Sequence, residues 1–347
     1  RKIEVRMSRF TDTDFLRYTL DNPTGISETT ERTLPDGSQL TVTGSGILTL
    51  EPANPKADVD LVLSCGVHGN ETAPMELVRD MVADLLDGSL TLGVRLLVLI
   101  GNPVAANISQ RFDQVNMNRL FNGNHANFDC WEATRAAELE QAVADFFNAG
   151  GEGRTRCHYD LHTAIRGSEH EKFAVHPFLN GAPYTDEQLG FLAACGINAV
   201  LFANKPTTTF SYSSSHQHGA HAFTLELGKV YPFGQNDLSR FTLINNALRT
   251  LTSTGSFEQA DWKQQLICFD VCHELLKDAD DFQLEIAEDV KNFATFQKDE
   301  RVAFSSAGEY RAQADGEAIV FPNANVPVGG RAALMLKAVE PEQITVI

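Results

Sequence analysis

Four residues of this 347-residue chain have the types and positions for metal-assisted hydrolysis. His68 and Glu71 stand three positions apart in LVLSCGVHGNE (61–71). They offer an imidazole nitrogen and a carboxylate to a common point, a pairing that suits zinc. His162, in YDLHT, adds a second imidazole. A His2Glu set leaves a fourth zinc position open for water, the catalytic arrangement rather than the structural one. That water needs a proton acceptor. Glu226 is the candidate, because an ionised carboxylate inside the apolar run FTLEL is costly without a partner. Its alternative is an inward-facing Glu in a structural ion pair. Asp160 shares a strand face with His162 and is placed to orient it. An HxxE pair arises often by chance, and a strand-end His usually does no more than hydrogen-bond. The three together, in this order, are far more specific.

The segment SQRFDQVNMNRLF holds Arg111 and then Asn118 and Arg119. Two guanidiniums and an amide in one loop suggest a carboxylate clamp, since the planar arginine fork matches a carboxylate. Solvated loop arginines are the alternative. HQHGAH (His216, His218, His221) competes as a metal site but follows the serine run 211–215, which reads as a flexible loop. Cys268 and Cys272 with His273 have metal-like spacing, yet strand alternation puts both cysteines on one apolar face, as core. No GxSxG elbow, P-loop or GxGxxG occurs.

The elements that must position these groups follow from apolar patterning. Val59–Cys65 and Val94–Ile100 are continuous apolar runs that end in glycine turns, as buried strands do. Between them, Met75, Leu77, Val78, Met81 and Leu85 recur at helical spacing over 72–86. Trp131–Phe147 reads as a second helix and Leu238–Leu251 as a third. Strands are expected at 157–161, 172–176, 199–203 and 222–227, so His68, Glu71 and His162 fall just past or at strand ends. Open α/β sheets carry their sites at that edge. Strands alternating with helices give an α/β fold with a mixed sheet over residues 1–256. Short alternating runs over 257–347 read as a smaller, barrel-like C-terminal β domain.

A formal charge of −18 argues against nucleic-acid or anionic-membrane partners, which would want a basic face. It leaves room for an anionic small molecule held by a few arginines. The six scattered cysteines include no CxxC and read as reduced thiols of a cytoplasmic protein. The start RKIEVRMSRF has no apolar core, so no signal peptide is expected. A homo-oligomer is compatible with all of this.

The segments GVHGNE (66–71), GNPVAAN (101–107), RFDQVNMNRLF (111–121), DLHTAIRGS (160–168) and FTLELGK (223–229) together resemble the zinc carboxypeptidase-like superfamily. They look most like its succinylglutamate desuccinylase and aspartoacylase branch. The resemblance implies a carboxypeptidase-like mixed sheet flanked by helices and one Zn²⁺ per chain on His68, Glu71 and His162. It implies Glu226 as the catalytic carboxylate, Arg111 polarising the scissile carbonyl, and Asn118 and Arg119 binding the substrate carboxylate. It further implies hydrolysis of N-succinyl-L-glutamate to succinate and L-glutamate in arginine catabolism, by the arginine succinyltransferase pathway. The alternatives are a deacylase of another N-acyl acidic amino acid, or a non-catalytic acyl-amino-acid binder. The branch motif reads Asp-Leu-Asn-Arg where this chain has Asn116-Met117-Asn118-Arg119, a change outside the two substrate contacts. No motif assigns the residue for the distal succinyl carboxylate; Arg166 and Lys229 are the nearby cations in the matching segments.

Overall fold

The computed structural model describes residues 9–347. Helix α1 (Phe15–Asp21) precedes an antiparallel meander of β1 (Thr30–Thr33), β2 (Gln39–Gly44) and β3 (Ile47–Glu51). Next come β4 (Val59–Cys65), α2 (Thr72–Asp87), β5 (Arg95–Ile100), α3 (Pro103–Asn107), α4 (Trp131–Gly150) and β6 (Thr155–Ala164). The α/β part ends with β7 (Phe173–His176), α5 (Asp186–Ala194), β8 (Ala199–Phe202), α6 (Phe210–His218), β9 (His221–Lys229) and α7 (Thr242–Thr254). After the short α8 (Trp262–Gln265) the chain is β-rich: β10 (Ile267–Leu276), β11 (Gln283–Leu284), β12 (Ala294–Phe296), β13 (Arg301–Ser305), β14 (Gly308–Arg311), β15 (Glu317–Val320) and β16 (Arg331–Val339).

One mixed sheet runs in the order β1-β2-β3-β5-β4-β6-β9-β7-β8-β10-β16-β15-β12, and β11-β13-β14 form a second, small one. At its centre β5, β4, β6 and β9 are parallel. Every residue of β4 and β5 is buried, as strands covered on both faces must be. Alternation sorts the coverage: Leu61 and Leu63 pack with Met75, Val78 and Met81 of α2, whereas Val62 packs with Leu139, Val143 and Phe147 of α4. The C-terminal strands have their own core around Phe282, Phe296, Val302 and Met335. A separate cluster joins Phe173 and Leu201 to Phe293 and Leu336 and fastens them to the α/β part. Strand β10 makes the same connection through the backbone, pairing parallel with β8 and antiparallel with β16. Among the described residues no helix is long and apolar enough to cross a membrane.

Two expectations need correction. The serine run is not a loop but part of α6, capped by the Thr209 hydroxyl and closed by Gly219 at φ 64°. Its hydroxyls are stable in a helix because they find buried partners: Ser211 meets Thr224 at 2.8 Å and Ser214 meets His158 at 2.6 Å. Cys268 is buried as expected, but Cys272 is exposed. Asp270, between the two cysteines on the same face of β10, is exposed as well, so the cover that buries Cys268 does not extend along this face.

Candidate metal centre and active site

The site is assembled at the C-terminal edge of the central parallel strands. Strand β4 ends at Cys65, and Gly66 turns the chain with φ 65°, a conformation that favours glycine. Two residues on, His68 faces inward, and Glu71 caps the start of α2. The turn is tight because Gly69 lies against α3: a Cβ there would stand 2.3 Å from the Ala105 carbonyl carbon. The GVHGNE and GNPVAAN segments thus pack backbone to backbone. Their linkage is also hydrogen-bonded, Asn102 N–H to Gly66 O at 2.7 Å.

His162 stands near the end of β6, level with Glu226 on the adjacent strand β9. His68, Glu71 and His162 are all buried, with one ligand atom from each lying within 4.8 Å of the others. This group can hold a metal ion. Glu71 Oε1 is 2.8 Å from His68 Nδ1, and its Oε2 is 2.9 Å from His162 Nδ1. The two Nδ1 atoms are 3.3 Å apart. Two nitrogens bound to tetrahedral zinc at about 2.0–2.1 Å lie about 3.3–3.4 Å from each other, so the histidines fit that ion.

The outer nitrogens are held in turn. His68 Nε2 donates to Asn116 Oδ1 at 2.9 Å, and His162 Nε2 donates to Asp160 Oδ2 at 2.7 Å. With a cation bound, both outer bonds would leave Nδ1 as the inward lone pair, the ligating tautomer. Asn116 is therefore more than a departure from the branch motif; sequence pattern does not reveal this role because loop closure brings it to His68. Asp160 begins a buried polar chain. Its Oδ1 accepts from Ser64 Oγ at 2.5 Å, Ser64 Oγ meets His158 Nε2 at 2.7 Å, and His158 Nδ1 meets Ser214 Oγ. Ser64 spends its one hydrogen on Asp160, so His158 donates from Nε2 and accepts from Ser214 at Nδ1. Burial lowers His158 to about 4, consistent with a neutral ring.

The electrostatics also suit a cation. Burial opposes charge on His162, but Asp160 and Glu71 outweigh it and hold the ring well above its ordinary pKa. Burial, helped by Arg111, lowers His68 to about 4. Burial would raise Glu71, yet the two histidines hold it well below the ordinary carboxylate range. Two buried carboxylates thus keep a proton on His162 that a divalent cation would displace. Asp160→Asn should weaken zinc affinity by about 10–100-fold while the fold persists, measured by chelator competition. Unchanged affinity would show that Asp160 does not orient His162.

Glu226 is buried, and its Oε2 has no hydrogen-bond partner. No ion pair to it occurs among the described residues. Burial, and next the Glu71 charge, raise its pKa to about 7. Arg111 reaches the centre, donating from Nη1 to Glu71 Oε1 at 2.7 Å. Asn118 is buried, and its Oδ1 accepts from Phe210 N–H at 2.9 Å, which leaves Nδ2 as its free donor. Arg119 donates from Nη1 to the Asn118 carbonyl at 2.7 Å and forms no ion pair among the described residues. Burial presses against its charge, as do Arg331 and Arg111, a field that an anionic ligand would relieve. The arginine loop is pinned from outside: Glu132 accepts from the Asp113 and Gln114 N–H groups, and Phe121 stacks on Phe210 at 4.1 Å.

Other candidates fall elsewhere. His216 stacks on Tyr212, His218 lies against Phe147, and His221 approaches Thr185, so HQHGAH does not converge. Arg166 is occupied by the carbonyls of Pro322, Glu288 and Val290. Lys229 is exposed.

A buried His-Glu-His group that could hold a metal ion and, among the described residues, an unpaired carboxylate beside it lie at the edge of a mixed α/β sheet that carries a β appendage. Comparison identifies the family. Residues 57–252 match the Succinylglutamate desuccinylase/Aspartoacylase catalytic domain, and residues 264–339 match the AstE/AspA barrel-sandwich hybrid domain. The chain belongs to the succinylglutamate desuccinylase/aspartoacylase family. It is 46% identical to a succinylglutamate desuccinylase of Idiomarina loihiensis over 338 residues, covering 96% of this chain and 98% of that protein. A Shewanella amazonensis protein of the same name is 45% identical, covering 94% and 97%. The crystal structure of the Chromobacterium violaceum succinylglutamate desuccinylase superposes with a TM-score of 0.83 at 42% identity, covering 95% of this chain and 99% of that one. The Vibrio parahaemolyticus structure gives 0.86 at 36% identity, covering 96% of each chain.

Proposed function

We propose that this chain is a zinc-dependent amidohydrolase that cleaves N-succinyl-L-glutamate to succinate and L-glutamate. The observation that carries the reading is the buried His68–Glu71–His162 group beside an unpaired, proton-accepting Glu226. Full-length similarity to proteins named succinylglutamate desuccinylase supports the substrate. Zn²⁺ on the three ligands would supply Lewis acidity and an acidified water. Glu226 takes the proton of the attacking water and returns it to the departing glutamate nitrogen. Arg111, close enough to bond Glu71, donates to the carbonyl oxygen as negative charge builds on it. Arg119 and the Nδ2 of Asn118 hold a glutamate carboxylate. A cytoplasmic place in arginine catabolism, and a division into units at residue 256, belong to the same proposal.

Turnover of N-succinyl-L-glutamate against N-acetyl-L-aspartate by the zinc-loaded chain tests the reading. Preference for the succinyl substrate supports it. Preference for the acetyl substrate favours the other deacylase, and binding without turnover favours a carrier.

The two arginines should separate kinetically. Arg119→Lys should raise KM by about tenfold with little change in kcat, because its fork is used in ground and transition states alike. Arg111→Lys should fall mainly on kcat, by about 10²-fold, because its donor faces charge that develops during reaction. Equal, modest KM effects would reduce both residues to general electrostatic attraction.

A further inference from the structure

The C-terminal β part sends one cation toward the site. Arg331, partly buried, opens β16 opposite Leu276 of β10. Among the described residues it donates no hydrogen bond and forms no ion pair. Its Cζ lies 5.7 Å from the centroid of the Phe321 ring.

Phe321 is held with care. Its φ is 55°, in the left-handed region where a bulky residue is strained. Its N–H is tied to Asn292 Oδ1 at 2.9 Å, and the next carbonyl, of Pro322, accepts from Arg166 Nε at 3.0 Å. Arg166 stands four residues beyond His162, so the loop that supports Arg331 is fastened to the strand that carries a metal ligand. The Phe321 ring lies 5.6 Å from Phe173, and Phe173 is the cross-strand neighbour of Glu226. The path from the Arg331 guanidinium to the catalytic carboxylate thus runs through two packed rings.

The charge pattern agrees with that placement. Arg331 and Arg111 both act on Arg119, and Arg331 itself feels Glu274, Arg111 and Glu226. Glu274, the other carboxylate in the cluster, is paired with Lys205. Three guanidiniums are therefore within range of one another's charge in a chain whose formal charge is −18, and among the described residues two of them, Arg119 and Arg331, form no ion pair with a carboxylate. Such a cluster is stable when anions fill it.

The proposed substrate carries three carboxylates, two on glutamate and one at the distal end of the succinyl group. Resting on that functional reading, we infer that Arg331 binds the distal succinyl carboxylate or the glutamate side-chain carboxylate, and Arg119 a different one, so that the C-terminal β part completes the specificity pocket.

The test pairs enzyme variants with substrate analogues. N-butyryl-L-glutamate lacks the distal acyl carboxylate, and N-succinyl-L-glutamine lacks the charge of the glutamate side chain. The zinc-loaded native chain, Arg331→Gln and Arg331→Lys are compared on these and on N-succinyl-L-glutamate. Arg331→Gln should lose about 10–100-fold in kcat/KM on N-succinyl-L-glutamate, with most of the loss in KM. On one analogue the same change should cost less than about threefold, and that analogue names the carboxylate bound. Arg331→Lys should recover part of the loss, and it serves in place of the Gln variant if that one does not fold. Equal losses on all three substrates, or no loss on any, would overturn the assignment. Failure of the functional reading looks different: the native chain itself would then not favour N-succinyl-L-glutamate over the two analogues.

Discussion

Glu226→Gln should cut kcat by about 10²–10⁴-fold while leaving zinc bound, because the amide is nearly isosteric but accepts no proton. The contrast with a structural role is sharp. A Glu that served only an ion pair would, on the same change, lower stability and keep its turnover. Here Oε2 has no partner to lose. The metal-free fold should even gain from the substitution, and the gain should depend on pH. Burial, followed by the Glu71 charge, lifts Glu226 from 4.5 to about 7, so the folded chain binds its proton more tightly than the unfolded chain. The associated stability is full below pH 4.5 and is lost as pH rises through 7, a difference of up to about 3 kcal/mol. Gln does not titrate. The melting temperature of metal-free Glu226→Gln, relative to that of the native chain, should therefore climb between pH 5 and pH 8. A flat difference across that range, with kcat intact, would remove Glu226 from the chemistry.

His162→Ala should abolish stoichiometric zinc and reduce turnover by at least about 10³-fold, and His68→Ala should do the same. The effect is expected to be large because each ring would be one of three ligands and its outer nitrogen is already committed, to Asp160 or to Asn116. No other His, Cys, Asp or Glu group of this kind converges among the described residues. Metal content measured by elemental analysis alongside kcat decides the matter. A double variant that kept one zinc and full activity would place the metal elsewhere.

Much of this was legible before the structure. Strand β4 was readable to the residue because a run buried on both faces has no polar interruption, and α2 was readable because its apolar face repeats at helical spacing. The convergence of His68, Glu71 and His162 was legible because GVHGNE and DLHT sit where buried strands end. Three features were not. The serine run became a helix because hydroxyl partners on β6 and β9 satisfy it, a tertiary effect that local composition does not carry. Cys272 shares a strand face with Cys268, but the cover over that face stops before Asp270, and alternation does not show where a face loses its cover. Asn116 reaches His68 only through closure of a long loop.

The most direct test of the whole account is a zinc titration of the metal-depleted native chain, followed by release of succinate from N-succinyl-L-glutamate. Activity should be absent without metal, rise linearly with added Zn²⁺ and level off at one equivalent per chain. Undiminished hydrolysis in the metal-depleted protein, or no hydrolysis after one equivalent is bound, would contradict it.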